Sequence, residues 1–201
     1  DGKYGYVCSS FNPETAVISV ADHKIVGKIR QDSPFCPNIA ATPDGRQVWF
    51  TLKDVGRVQV FDARPPFAPI KSFETGPITN HVNFAGNAKG SFAYVTVGGL
   101  NQVKVFRTDD FSQVATIPVG KLPHGLWPSG DGTRLYVGGS FTSVDGQPRR
   151  NIAAFSTATG ALLDTFRPSA RGTGVFALAA TDAGVYVGGV LRSGNGVARK
   201  N

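Results

Sequence analysis

"SPFCPNIAATPDGRQVWFT" spans Ser33 to Thr51, and its centre is Asp44-Gly45, set between two apolar runs. "LPHGLWPSGDGTRLYVG", from Leu122 to Gly138, carries Asp131-Gly132 in the same place. Asp-Gly between alternating apolar segments is a hairpin signal, because both residues tolerate the left-handed backbone of a tight turn. Whether these stretches are adjacent hairpins of one sheet or copies of one unit decides the fold. Gly2, Gly45, Gly90 and Gly132 stand 43, 45 and 42 residues apart. Six residues after each lie Cys8, Thr51, Thr96 and Gly138, reached through "YGYVC", "QVWFT", "FAYVT" and "RLYVG". The stretches are copies.

Each unit holds four short runs of alternating apolar and polar residues. The second has "NIAAT", "QVWFT", "RVQVFDA" and "IKSFE"; the third has "HVNFA", "FAYVTV", "QVKVFRT" and "QVATIPV". Val, Phe, Ile and Tyr dominate, which suits half-buried strands. Helical spacing is absent, and 25 Gly with 13 Pro would interrupt helices of useful length. Four strands in each unit of roughly 40–45 residues predict an all-β fold, a β-propeller of four-stranded blades. The expected blades are 1–32 (partial), 33–77, 78–120, 121–172 and 173–201 (partial), within a single domain over 1–201. That is about four and a half blades. The frame opens after a first strand and stops before a third, so the expectation is an arc of a larger ring. A missing ring segment or a partner chain would then cover the open sheet edges.

"FAYVT", "QVKVFRT" and "VATIPVGKLPHGLWPSGDGTRLYVG", in that order, resemble the YVTN-type β-propeller repeat over residues of about 1–139. The resemblance implies a periplasmic or cell-surface location and a binding or adhesion role. The WD-type repeat fits less well, since its Gly-His and Trp-Asp dipeptides are missing. Beyond Gly138 the unit changes. "GGSFTSVDGQPRRN" (138–151) pairs with "GGVLRSGNGVARKN" (188–201) at an offset of 50 residues, and this longer unit resembles a second bacterial propeller repeat. The strands "IAAFSTATGALLDTFRPS" and "GVFALAATDAGVYV" are expected between the two.

The net charge of +7, from 21 Lys and Arg against 14 Asp and Glu, favours an anionic partner or ordinary solubility. The basic residues are scattered, and no long apolar run predicts a membrane span. The loops "SVDGQPRRN" and "RSGNGVARKN" each end in a basic pair, so Arg149, Arg150, Arg199 and Lys200 are the candidate anion-binding residues. An anionic polymer or single-stranded DNA would suit such a ridge, and solvated loop tips are the simpler reading. Cys36 and His81 share a repeat position, His124 lies one position later, and Cys8 ends a neighbouring strand. Together Cys8, Cys36, His81 and His124 form a candidate copper or zinc set, while no cofactor is required. The alternatives are a Cys8–Cys36 disulfide, two buried thiols, and histidines that hydrogen-bond loop carbonyls. Trp49, Trp127, Tyr94 and Tyr136 are expected to pack between blades, and His23 to stand in solvent.

Catalysis finds no motif here: neither G-x-S-x-G nor H-E-x-x-H nor a phosphate-cradling loop occurs. Asp44, Asp131 and Asp145 each precede glycine, as turn-forming residues do. The reading is a non-catalytic extracytoplasmic scaffold that meets a protein or anionic partner through one face.

Overall fold

Asp44-Gly45 and Asp131-Gly132 fold as the sequence predicts, with the glycines at φ 67° and 69° in the computed structural model. In the first turn Asp44 Oδ1 accepts the Thr42 hydroxyl at 2.6 Å and the Arg46 amide at 3.1 Å. In the second, Asp131 Oδ1 accepts the Ser129 hydroxyl, the Thr133 amide and the Thr133 hydroxyl. Those bonds stabilise the ionised carboxylate and hold Asp131 down to about pKa 2.

The structure describes residues 2–87, 89–195 and 197–198. They are all-β, built from small antiparallel sheets with a single 3-10 turn at Gly98–Leu100. The chain divides into two compact units, residues 1–82 and 83–201.

In the first unit, β1 (Tyr4–Val7), β2 (Glu14–Ser19) and β3 (Lys24–Arg30) form a three-stranded sheet. A four-stranded sheet follows in simple order: β4 (Asn38–Ala41), β5 (Gln47–Leu52), β6 (Arg57–Asp62) and β7 (Pro69–Glu74). Strands β5 and β6 are buried on both faces, whereas β7 is almost wholly exposed, so this sheet has a covered middle and a wet outer edge. Val17 and Ile29 pack with Val48, Phe50, Phe61 and Phe67 in one core, to which Tyr4 and Tyr6 add their rings. A Cβ at Gly27 would stand 2.9 Å from the Phe67 ring, so that contact needs glycine.

A second four-stranded sheet is β8 (Thr79–Asn87), β9 (Gly90–Val97), β10 (Gln102–Arg107) and β11 (Gln113–Pro118). The next has β12 (Pro123–Pro128) and β13 (Arg134–Gly139), then, after the hairpin β14 (Ser143–Val144) and β15 (Gln147–Pro148), β16 (Ile152–Ser156). The last is β17 (Ala170–Thr181), β18 (Gly184–Gly194) and β19 (Val197–Ala198). Tyr94, Val103, Ile117, Leu126, Leu135, Val137, Phe141 and Phe155 share one core of the second unit. Tyr136, Ile152, Val175 and Leu178 share another.

The 50-residue offset read from the sequence has a structural counterpart. Ser143 pairs with Pro148 across Asp145-Gly146, and Ser193 pairs with Ala198 across the equivalent turn. Asp145 and Asn195, at equivalent positions, take φ 46° and 47°. One expected strand is nearly absent. After β16, "ALLDTF" makes only a bridge between Phe155 and Leu162. Leu163 bonds Ala154, the Phe166 amide then bonds Leu163, and the Phe166 ring settles 5.1 Å from Tyr136. The apolar side chain is drawn inward, and the strand ends there.

Candidate anion-binding site

Cys8, Thr51 and Thr96, which share one repeat position with Gly138, do one job. The Thr51 hydroxyl donates to the Asn80 carbonyl, and the Thr96 hydroxyl donates to the His124 carbonyl at 2.8 Å. The Cys8 thiol donates in the same way to the Cys36 carbonyl, at 2.9 Å. Gly138 has no side chain, and a Cβ there would fall 2.8 Å from the Val175 carbonyl and 2.6 Å from its Cγ1. The segments that follow Gly2, Gly45 and Gly90 are thus clipped to the opening segment of the next sheet, and the strand after Gly132 meets its neighbour by close backbone approach instead. Asn38 supports the same join in the first unit, its Oδ1 accepting the Val82 amide at 2.9 Å.

Of the four candidate metal ligands, Cys8, Cys36 and His81 lie in the first unit and His124 in the second. Cys36 is buried and Cys8 half-buried, and both are free thiols. His81 is half-buried on β8. The His124 Nδ1 lies 3.0 Å from the Phe176 carbonyl, which only accepts, so that nitrogen carries the proton. Among the described residues, no three His, Cys, Asp or Glu side chains gather as a metal ion requires. His23 stands exposed in the turn between β2 and β3 at φ 54°. Trp49, Tyr94 and Tyr136 are buried, whereas Trp127 is 40% exposed.

The adjacent arginines of the first long loop part company. Arg149 is buried, its side chain 1% exposed. Its Nη2 bonds Asp164 at 2.8 Å and its Nη1 bonds the Pro148 carbonyl at 2.8 Å. Arg150 is exposed and lines a concavity of about 450 Å³ with Arg171, Gly172, Thr173, Arg192 and Ser193. Arg199 and Lys200 lie outside the described residues.

Local structure assembles this concavity. Strands β17 and β18 slip register between Arg171, which opposes Ser193, and Gly172, which opposes Leu191. Arg192 is the extra residue of that β-bulge, a device that re-aims side chains. Gly172 is required: at φ 151° its missing Cβ would sit 2.1 Å from the Val190 carbonyl. Arg150 is held against this edge by its neighbour. Asn151, buried and at φ 61°, donates to the carbonyls of Ala170 (2.8 Å) and Gly172 (3.2 Å). The Ala170 amide bonds the Arg150 carbonyl in turn.

No carboxylate lines the concavity, and none of its three arginines forms an ion pair among the described residues. Like charges so grouped repel, and a bound oxyanion relieves that repulsion. Guanidinium groups offer paired N–H donors that match phosphate, sulfate or carboxylate oxygens. The Thr173 and Ser193 hydroxyls add two further donors.

A larger cavity of about 640 Å³ lies between the sheets of β12–β16 and β17–β19. Its lining joins the apolar surfaces of Tyr136, Phe166 and Leu191 to Asp131, Arg134 and Asp182.

Neither a protein-family model nor a curated protein matches the chain. Among solved structures, hydrazine synthase of Kuenenia stuttgartiensis is similar at a TM-score of 0.71 and 20% identity, over 82% of this chain. The chain spans 46% of that protein's length. At this identity the likeness concerns the fold alone. Among the described residues, no helix is long and apolar enough to cross a membrane.

Proposed function

We propose that this chain is a run of consecutive β-propeller blades, a non-catalytic scaffold that holds an oxyanion-bearing partner at Arg150, Arg171 and Arg192. The observation that carries the binding role is the grouping of three exposed arginines around one concavity that no carboxylate lines. The blade reading is supported by the recurring clip. Residues 28 or 29 apart join sheets in chain order at Cys8–Cys36, Thr51–Asn80 and Thr96–His124. The likeness in fold at a TM-score of 0.71 agrees with it. The YVTN-type resemblance supports an extracytoplasmic setting.

Nucleic-acid recognition through stacked bases needs aromatic platforms, and none lines this concavity. The favoured partner is therefore recognised by its charge, through phosphate or sulfate groups along a polymer. Fluorescence anisotropy with labelled polyphosphate tests this, with a sulfated oligosaccharide titrated in parallel. Binding should weaken with salt at a logarithmic slope of about −2 to −3, the value for two or three neutralised anionic groups. The Arg150→Ala, Arg171→Ala, Arg192→Ala triple variant should lose both the affinity and the slope. Equal binding by the wild type and the triple variant overturns the proposal.

A further inference from the structure

Cys8 stands where the equivalent positions carry Thr51 and Thr96, and a hydroxyl suffices for the clip at both of those. The thiol makes the same bond, and the residue that accepts it is itself a cysteine. Cys36 supplies the carbonyl that Cys8 bonds, at 2.9 Å, and its own thiol donates to the Asn38 carbonyl at 3.6 Å. Both belong to the apolar core that joins the first two sheets. Their placement differs in one respect: Cys8 is half-buried and reachable from solvent, whereas Cys36 is 6% exposed.

We propose that Cys8 and Cys36 form a dithiol that closes to a disulfide, with Cys8 as the attacking sulfur and Cys36 as the resolving one. The inference is independent of the anion site, which lies in the other unit. The oxidant is a small-molecule disulfide such as oxidised glutathione. The Cys8 thiolate attacks one sulfur of that disulfide, forms a mixed disulfide and releases one thiolate. Cys36 then loses its proton to that released thiolate, and its sulfur attacks Cys8. The mixed S–S bond breaks, and the second small-molecule thiolate leaves and takes a proton from water. Two protein thiols are oxidised by two electrons, one external disulfide is reduced to two thiols, and the Cys8–Cys36 bond remains.

Exposure sets the order, because the external disulfide can reach Cys8 and not the buried Cys36. Electrostatics agree. The neighbouring Cys36 side chain favours ionised Cys8 and lowers it to about pKa 7, against the opposing effect of burial. The Cys8 side chain, with burial, pushes Cys36 up. Cys36 therefore stays protonated until the mixed disulfide removes the charge on its neighbour.

The test equilibrates the folded chain with oxidised and reduced glutathione, quenches with an alkylating agent and maps tryptic peptides by mass spectrometry. The expected product is peptide 4–24 linked to peptide 31–46, with both thiols protected from alkylation and recovered by a reductant. In the Cys36→Ser variant, glutathione should remain trapped on Cys8. In the Cys8→Ser variant, Cys36 should resist modification until the chain is unfolded. Two separately alkylated cysteines in the wild type after equilibration overturn the inference. So does glutathione lodged on Cys36 in the folded wild type.

Discussion

Thr96 donates its hydroxyl to the backbone carbonyl of His124 at 2.8 Å, and the bond joins the second strand of one sheet to the first strand of the next. Thr51 does the same to Asn80, and both threonines are fully buried. Valine keeps their shape and β-branching while removing the donor. Thr96→Val and Thr51→Val should each cost about 1–2 kcal/mol, because a buried carbonyl loses its partner without leaving a void. Urea unfolding measures this. An unchanged midpoint for both variants would mean that the recurring bond adds nothing and that apolar packing alone aligns the sheets.

Arg149 and Arg150 are neighbours in the chain with opposite consequences. Arg149→Ala removes a buried guanidinium bonded to Asp164 and to the Pro148 carbonyl. Asp164 is well exposed and keeps Arg167, so the loss should be about 1–3 kcal/mol, below the range for a fully buried pair. Arg150→Ala should change stability by no more than about 0.5 kcal/mol, as surface substitutions do, while weakening polyphosphate binding. Thermal unfolding and anisotropy on the two variants separate the roles. Equal loss of stability in both would place Arg150 in the packing, not in the binding face.

Gly172→Ala should disturb the bulge, because a Cβ would enter the Val190 carbonyl and the backbone is held at φ 151°. Strain of about 1–3 kcal/mol is expected from a residue forced into such a region. Relief by straightening the strand would re-aim Arg192. Polyphosphate affinity should therefore fall in a variant that retains all three arginines. Retained affinity with lowered stability would show that the bulge does not position the guanidinium groups.

Asp131 gives the turn between β12 and β13 an acid-sensitive element. Its carboxyl is held at about pKa 2 by the Ser129 hydroxyl and by the amide and hydroxyl of Thr133. An unfolded aspartate titrates near about 3.9, so the folded value is the depressed one. The stabilisation is then complete above about pH 4 and is lost as the pH falls through about 2. Asp131→Asn cannot titrate and should show a smaller drop in melting temperature between pH 4 and pH 2 than the wild type. An identical drop would assign the acid sensitivity to other carboxylates, such as Asp44, which its own turn also holds low.

The sheet order was readable because a tight turn needs glycine and a half-buried strand needs alternation, and both leave marks in sequence. The clip position could be aligned from Gly2, Gly45, Gly90 and Gly132, but its hydrogen bond could not be read, since Cys, Thr, Thr and Gly share no chemistry. Arg150 was visible beside Arg149, yet adjacency could not tell which of the two turns inward to Asp164. Arg171 and Arg192 escaped notice because they stand 21 residues apart, and only the register slip at Gly172 brings them together. The failed strand after β16 was hidden for a similar reason: "ALLDTF" stands where its unit needs a fourth strand, and tertiary contacts of Phe166 and Asp164 override that place.

Closing Cys8 to Cys36 would tie residues 28 apart, which join the first sheet to the segment leading into the second. A cross-link over a loop of that size removes freedom mainly from the unfolded chain and should stabilise by about 3–4 kcal/mol. The gain is largest where the folded state needs little movement to accept the bond, and the Cys8 sulfur already lies 2.9 Å from the Cys36 carbonyl within a common core. Urea unfolding of oxidised and reduced protein should therefore differ by that amount, with the difference abolished in Cys8→Ser. Because the bond lies within residues 1–82, a probe in that unit, the buried Trp49, should report the shift. Superimposed transitions for the oxidised and reduced forms would mean that bridging strains the core as much as it restrains the unfolded chain.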